Sequence, residues 1–303
     1  MKTVYISLLL LITIGSISCV SEPKSGSTVS KAFGDYWYKG KAEITSYKLE
    51  QARYGQINNG HAVLVFVTED FSHSKQVKLD HPQSVPEDAV KVLKLNATRK
   101  FLTGFYPYSI MTSVFSPVDF ASKPNAMKLT FSSQEWCGHV YTQANHRNGN
   151  YEFSSYSYFE SEGDEKFKLD DALLEDELFT KIRLAPDSLP TGDIKIIPSL
   201  LSSRLKHFDL RVEVAAAEKV ISDPEKNIAS YRIKYKNLQR TVSIDFANKF
   251  PYEILGWSEE YKSGFGPGAK LLTTIAVKNK SILLDYWNKN SLEDVALRKQ
   301  LGL

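Results

Sequence analysis

The sequence predicts a mainly β fold with a few helices (α+β), a curved antiparallel sheet or incomplete β-barrel with helices packed on an end or open face. Three observations carry this reading. Tyr231, Ile233 and Tyr235 alternate with Arg232, Lys234 and Lys236, the period of two that marks a half-buried strand. Aromatic residues make up 12% of the chain, which suits a pleated surface with one buried face. Only two segments combine a helical stripe with capping signals.

The chain opens on a positive residue, Lys2, followed by an apolar run over Val4 to Ile14 and by Ser16-Ile17-Ser18 directly before Cys19. Residues 1–18 read as a lipoprotein signal peptide, after which Cys19 becomes an acylated N-terminus. The run is shorter than the about 20 apolar residues that span a bilayer. Ser16-x-Ser18 also suits ordinary signal peptidase, and an unmodified Cys19 could then pair with Cys137, the only other cysteine. Lipidation instead leaves Cys137 single in an oxidising compartment, and predicts that it is buried. Residues 19–31 are polar and Ser-rich, a membrane tether with an end-to-end distance of roughly 17 to 20 Å as flexible coil. Val20 follows Cys19 where inner-membrane lipoproteins often carry Asp, so the expected address is the outer membrane, facing the periplasm or the outside.

Residues 32–303 read as a single β-rich globular domain without a repeat of fixed period. Without Lys2 the mature chain carries 37 basic against 35 acidic side chains, and no concentrated basic stripe marks a nucleic-acid partner.

In the N-terminal half, Val63 to Val67, Val90 to Leu95, Met127 to Phe131 and Tyr151 to Phe159 read as strands. In the last of these, Tyr156 and Tyr158 fall on the face opposite Phe153 and Phe159, so a second layer covers it or it lines a cavity. Asp170 is placed to cap a helix with Leu174, Leu178 and Ile182 as its stripe, acids early, Lys181 and Arg183 late, and Pro186 as its stop. Two strands follow around Tyr231 to Tyr235 and Val242 to Phe246, joined near Asn237 to Arg240. Asn248-Lys249-Phe250-Pro251 marks a turn, Ile254 to Tyr261 a strand, and Gly264-Phe265-Gly266-Pro267-Gly268 a break. Leu271 to Val277 and Ile282 to Trp287 complete a meander. Ser291 and Asp294 form a capping box for a last helix, with Val295, Leu297 and Leu301 available to pack.

Candidate chemistry is sparse. Glu135-Trp136-Cys137-Gly138-His139 places a carboxylate, a thiol and an imidazole within five residues, and an extended backbone would set Cys137 and His139 about 7 Å apart on one face. The ordinary reading of Cys137 is a buried cysteine beside a turn. His139 and His146 are seven apart, outside zinc-motif spacing, so no metal and no cofactor is expected. The run Phe101 to Met111 is dense in aromatics. It reads first as sheet core, and secondly as a groove for an apolar or sugar ligand through Phe105, Tyr106 and Tyr108, with Tyr156 and Tyr158 as companions. Pro107 within it predicts an edge strand or bulge.

Five segments, Gln51-Ala52-Arg53-Tyr54-Gly55, Val67-Thr68-Glu69-Asp70-Phe71, Tyr106 to Phe115, Gln134 to His139 and Leu189-Pro190-Thr191-Gly192, resemble a Bacteroidota lipoprotein family commonly labelled "septum formation inhibitor Maf". The resemblance covers most of the mature chain. Maf pyrophosphatases carry a Ser-x-Ser-Pro-Arg-Arg-type motif near the N-terminus, which this chain lacks, so the resemblance implies a location and no activity.

Two functions fit these residues. One is a membrane-tethered binding or scaffold module of the cell envelope, with an apolar or carbohydrate ligand or an envelope protein as partner. The other is an envelope hydrolase with Glu135, His139 and His146 as acid-base residues, which requires a cleft that collects them. A hollow concave face would favour carriage of a ligand, and a filled one scaffolding.

Overall fold

A computed structural model describes residues 30–303. Cys19, the signal segment and the tether up to residue 29 lie outside the described residues. Ser30 and Lys31, read above as tether, already belong to the fold, because the Ser30 side chain accepts from the Phe33 N–H and caps helix α1 (Lys31–Trp37).

Fifteen strands form one sheet. The first eight are an antiparallel meander: β1 (Ala42–Arg53), β2 (Gln56–Ser72), β3 (Ala89–Thr103), β4 (Tyr106–Pro117), β5 (Lys128–Glu135), β6 (Gly138–Arg147), β7 (Asn150–Tyr156) and β8 (Asp164–Asp170). After β9 (Leu173–Leu174), helix α2 (Leu178–Leu184), β10 (Gly192–Ile197) and helix α3 (Leu200–Lys206), a second meander follows. It comprises β11 (Glu213–Asp223), β12 (Ile228–Tyr235), β13 (Thr241–Ala247), β14 (Ile254–Ser263) and β15 (Lys270–Leu284), with α4 (Ala296–Gln300) behind it. The pairing of β15 with β1 joins the two meanders into a single sheet with β8 at one edge and β9 at the other.

This topology dictates curvature. Fifteen strands laid flat would put the edges roughly 65 Å apart at 4.7–4.9 Å per strand. Yet β8 ends at Asp170 and β9 begins at Leu173, a gap that chain length limits to about 11 Å. The sheet therefore curls until its edges nearly meet. No ladder joins β8 to β9, so the wall stays open along one seam.

The inside of the curl is filled. One apolar cluster runs through both meanders and includes Phe33 and Trp37 of α1, Leu178 and Ile182 of α2, and Leu200, Leu201 and Leu205 of α3. Strand side chains facing inward, such as Tyr47, Leu64, Phe66, Phe131, Phe153, Tyr231 and Ile244, pack against these helices. The buried arginines Arg183 and Arg240 are paired with carboxylates. Arg183 meets Glu43 on β1 and rests over the rings of Trp37 and Phe66, at 4.9 and 4.8 Å from their centroids. Arg240 bridges Glu175 and Glu259, and Glu259 also accepts from Arg99 at 2.6 Å. Burial works against ionising Glu43 and Glu259, but their arginine partners outweigh it and hold both carboxyls below the usual range.

Several sequence expectations change in position. The stripe Leu174, Leu178 and Ile182 is buried as expected, but Asp170 ends β8 and the helix starts only at Leu178. Leu173 and Leu174 are drawn into a parallel pairing with β10, which competes for the backbone groups a longer helix would use. The two expected last strands are one, β15, whose register slips opposite Ser46 and Tyr47. The capping box at Ser291 and Asp294 is formed. Leu301 packs on Ala42, Ile44 and Val67, whereas Val295 stays exposed because the short helix turns only its last turn onto the sheet. Pro107 does lie locally at an edge, since β5 pairs with β4 only from Ser109 onward.

Candidate site at the mouth of the curled sheet

Because the meanders are antiparallel, alternate hairpin tips gather at one end of the wall, here termed the mouth. It collects the β1–β2, β3–β4, β5–β6, β7–β8, β12–β13 and β14–β15 tips, together with α3, which connects β10 to β11. Five of these tips expose an aromatic ring: Tyr54, Phe105, Trp136, Tyr158 and Phe265, with exposures from 44% for Tyr54 to 84% for Phe105. Among the described residues, no hairpin tip at the opposite end exposes one.

The rings contact one another in two groups, the pair Phe105 and Trp136 and a chain from Tyr158 to Tyr54. Phe105 meets Trp136 edge-on at 5.2 Å. Tyr158 lies directly over Gly138, where any Cβ would stand 2.4 Å from its Cγ. Tyr158 touches Phe159 at 5.3 Å, Phe159 touches His207 at 5.4 Å, and His207 touches Phe265 at 5.8 Å. Phe265 lies 6.5 Å from Tyr54, whose hydroxyl accepts from Tyr106 at 3.2 Å and lies 3.0 Å from that of Tyr108.

The last turn of α3 plugs the centre of this crown. Lys206 donates to the Lys262 carbonyl and, at 3.3 Å, to that of Gly264. His207, in the left-handed region at φ 52°, bonds Glu162. Arg204 stacks over Phe159 at 4.4 Å and reaches Glu135 at 3.5 Å. Arg53 donates to the Leu205 carbonyl and, at 3.1 and 3.3 Å, to the hydroxyls of Tyr54 and Tyr108. The plug thus ties the β1–β2, β5–β6, β7–β8 and β14–β15 tips to one another. Electrostatics follow the packing. Burial raises Tyr108 and Tyr106, and lowers Lys206 with help from Arg53 and Lys262. Burial would raise Tyr54 as well, but hydrogen bonds from Tyr106, Tyr108 and Arg53 outweigh it, and its phenol is shifted down.

The structure thus brings Phe105, Tyr106, Tyr108, Tyr158, Glu135 and Cys137 to one end of the molecule. Tyr108 is core-like, stacked on Phe101 at 4.9 Å, while Phe105 projects outward. Tyr156 is exposed on the strand opposite Tyr141, outside the chain of ring contacts.

Cys137 corrects the expectation of a buried thiol. Trp136 and Cys137 form the two-residue turn between β5 and β6, so Cys137 is exposed at an apex and is not a strand neighbour of His139. Its backbone N–H donates to Glu135 at 2.8 Å, and hydrogen bonding and charge from that carboxylate push the thiol up. Glu135 therefore suppresses nucleophilicity instead of promoting it.

The three proposed acid-base residues do not meet. His139 and His146 stand on β6 with opposite facing, about 23 Å apart along the strand. His139 is exposed on the outer face. His146 lies at the far end, stacked on Tyr151 at 4.9 Å and 3.2 Å from Asp171 at an angle unsuited to a hydrogen bond. There it borders a polar cleft of about 420 Å³ with His73, Lys123 and Arg147. Among the described residues no group of three His, Cys, Asp or Glu could hold a metal ion.

Sequence reasoning missed Arg53, Tyr54, Trp136, Arg204, Lys206, His207 and Phe265 as mouth residues. One signal was available: Tyr54-Gly55, Trp136-Cys137-Gly138 and Gly264-Phe265-Gly266 each place an aromatic inside a glycine-marked turn, and turns run over the surface.

In comparisons with known proteins, no family model, no curated protein and no solved structure matches the chain.

Proposed function

We propose that the chain is a cell-envelope lipoprotein, tethered at the outer membrane through Cys19, that acts as a binding or scaffold module through the crown of aromatic rings at its mouth. The crown carries this reading, since large rings held outward on five separate hairpins are costly to leave in water and supply contact area to a partner. The filled interior favours docking over carriage. The plug of α3 keeps the tips in fixed relation, so the crown is preorganised and loses little freedom on binding. Ring faces of this kind suit an apolar or carbohydrate-bearing partner. A hydrolase built on Glu135, His139 and His146 has no shared cleft to work in.

A photoreactive residue in place of Phe105, compared with one in place of Asn148 at the opposite end, tests the reading in the native host. Adducts specific to position 105, with an acylated Cys19 by intact mass, are expected. Equal labelling from both positions, or a small molecule retained inside the delipidated protein, would overturn it.

A further inference from the structure

At the end of the wall opposite the mouth, a second set of exposed side chains surrounds the point where the described chain begins. Helix α1 enters there, and Tyr38, Lys39 and Lys41 lead from it into β1. Ala42 pairs with Leu284, so the segment after β15 emerges beside the same residues. That segment carries Tyr286 and Trp287, in edge contact at 5.5 Å, then Lys289, then Leu292, which is 91% exposed. Trp287, Gly40 and Lys41 border one shallow cleft. Tyr38, Tyr286, Trp287, Lys39, Lys41 and Lys289 are all exposed.

We propose that this base is a bilayer-docking face. Tyr38, Trp287 and Leu292 enter the headgroup region while Lys39, Lys41 and Lys289 meet anionic headgroups. The inference deepens the tethered reading and rests on it.

The composition argues for a lipid surface in preference to a protein. Trp and Tyr carry an apolar body and a polar tip that favour the membrane–water interface, and each nearby Lys adds up to about 1 kcal/mol of attraction to an anionic leaflet, reduced at Lys41 and Lys289 by the neighbouring Asp285 and at Lys289 also by Asp294. The position argues for the same occupant. The 11 residues from Val20 to Ser30 can span at most about 40 Å, so a lipid on Cys19 keeps this end, where Ser30 starts the fold, close to the bilayer. With the base down, β1 stands its 12 residues away from the surface, and the mouth points outward some 40 Å higher. The tether then supplies the anchoring and the base supplies the orientation.

The test uses the chain from Val20 onward, which keeps every described residue, lacks the acylation site and has Cys137 as its only thiol. It is sedimented with vesicles of phosphatidylcholine alone or mixed with phosphatidylglycerol, and a fluorophore on Cys137 reports on the mouth. Binding that requires phosphatidylglycerol, weakens with salt and leaves the Cys137 probe unchanged is expected. Lys39→Glu/Lys41→Glu, and separately Trp287→Ser/Leu292→Ser, should each lower partitioning about tenfold, roughly 1.4 kcal/mol, with unchanged thermal unfolding. No association with either vesicle, association indifferent to both variants, or a response of the Cys137 probe would overturn the inference. The outcome is independent of Cys19 acylation and of crown adducts, so failure here leaves the tethered-module reading standing, and failure there is seen separately.

Discussion

Arg183 on α2 and Glu43 on β1 form a fully buried, two-pronged ion pair, with one of its bonds at 2.6 Å. The pair ties the helix that follows the seam to the strand at the centre of the sheet. A third contact, from Arg183 Nε to the Pro251 carbonyl at 2.8 Å, reaches the β13–β14 tip. Tyr36 donates to the same carboxylate, so four elements depend on one charge pair.

Removing one member leaves the other charge buried and unpaired. Glu43→Gln or Arg183→Met alone should cost about 3–5 kcal/mol, whereas Arg183→Met combined with Glu43→Leu should cost much less. Denaturant unfolding of the three variants checks this. Equal losses in the single and double variants would show that packing, not charge, sets the cost.

Asp176 gives stability a distinctive pH dependence. Burial, reinforced by neighbouring Glu175, raises its pKa from 3.8 to about 6, although it caps α3 by accepting from Ser199 and the Leu200 N–H. Between those two values the native state binds a proton that the unfolded chain has released. The contribution of this group is therefore complete at acid pH and is lost as pH rises through about 6. Asp176→Asn removes the titration, so the stability of the parent relative to the variant should fall as pH rises from 4 to 7. Parallel pH profiles for the two would contradict this assignment.

Gly138 makes room for Tyr158. Gly138→Ala forces a methyl against the ring and should cost about 1–3 kcal/mol, while the same change in a Tyr158→Ala background should be nearly neutral. A double-mutant cycle on melting temperature measures the coupling, and additive losses would place the strain elsewhere.

Cys137 should alkylate slowly for an exposed thiol, because Glu135 opposes the thiolate. Glu135→Gln is expected to speed modification by iodoacetamide severalfold near pH 8. Unchanged or slower modification would show that the carboxylate does not control the sulfur.

Legibility of the fold tracked the range of the forces involved. Tyr231 to Tyr235 and Val242 to Phe246 were readable because alternation is a property of neighbours in sequence, and these segments are strands β12 and β13. The helix expected from Asp170 kept its buried stripe and lost its first turns, because the parallel pairing with β10 depends on residues some twenty positions away. Cys137 was misplaced for a related reason: strand periodicity was extended through a two-residue turn that reverses the chain at that point.

The candidate site divides the same way. Phe105, Tyr106, Tyr108 and Tyr158 stood out as unusually dense aromatics, but nothing local joins them to Phe265 or to Arg53. That union follows from antiparallel order, which sends alternate hairpin tips to one end, and from the curl that α3 plugs.

By itself the sequence determined the β character, most of the strands, the capping box at Ser291 and Asp294 and an aromatic-rich segment, since each is written in residues a few positions apart. Only the tertiary structure decided that the sheet closes to a seam, that its interior is packed, and that aromatic rings crown one end while lysines and Trp287 flank the other. Those outcomes depend on which strands pair and on how far fifteen of them must bend, and that geometry is fixed by contacts between residues as distant as Glu43 and Arg183.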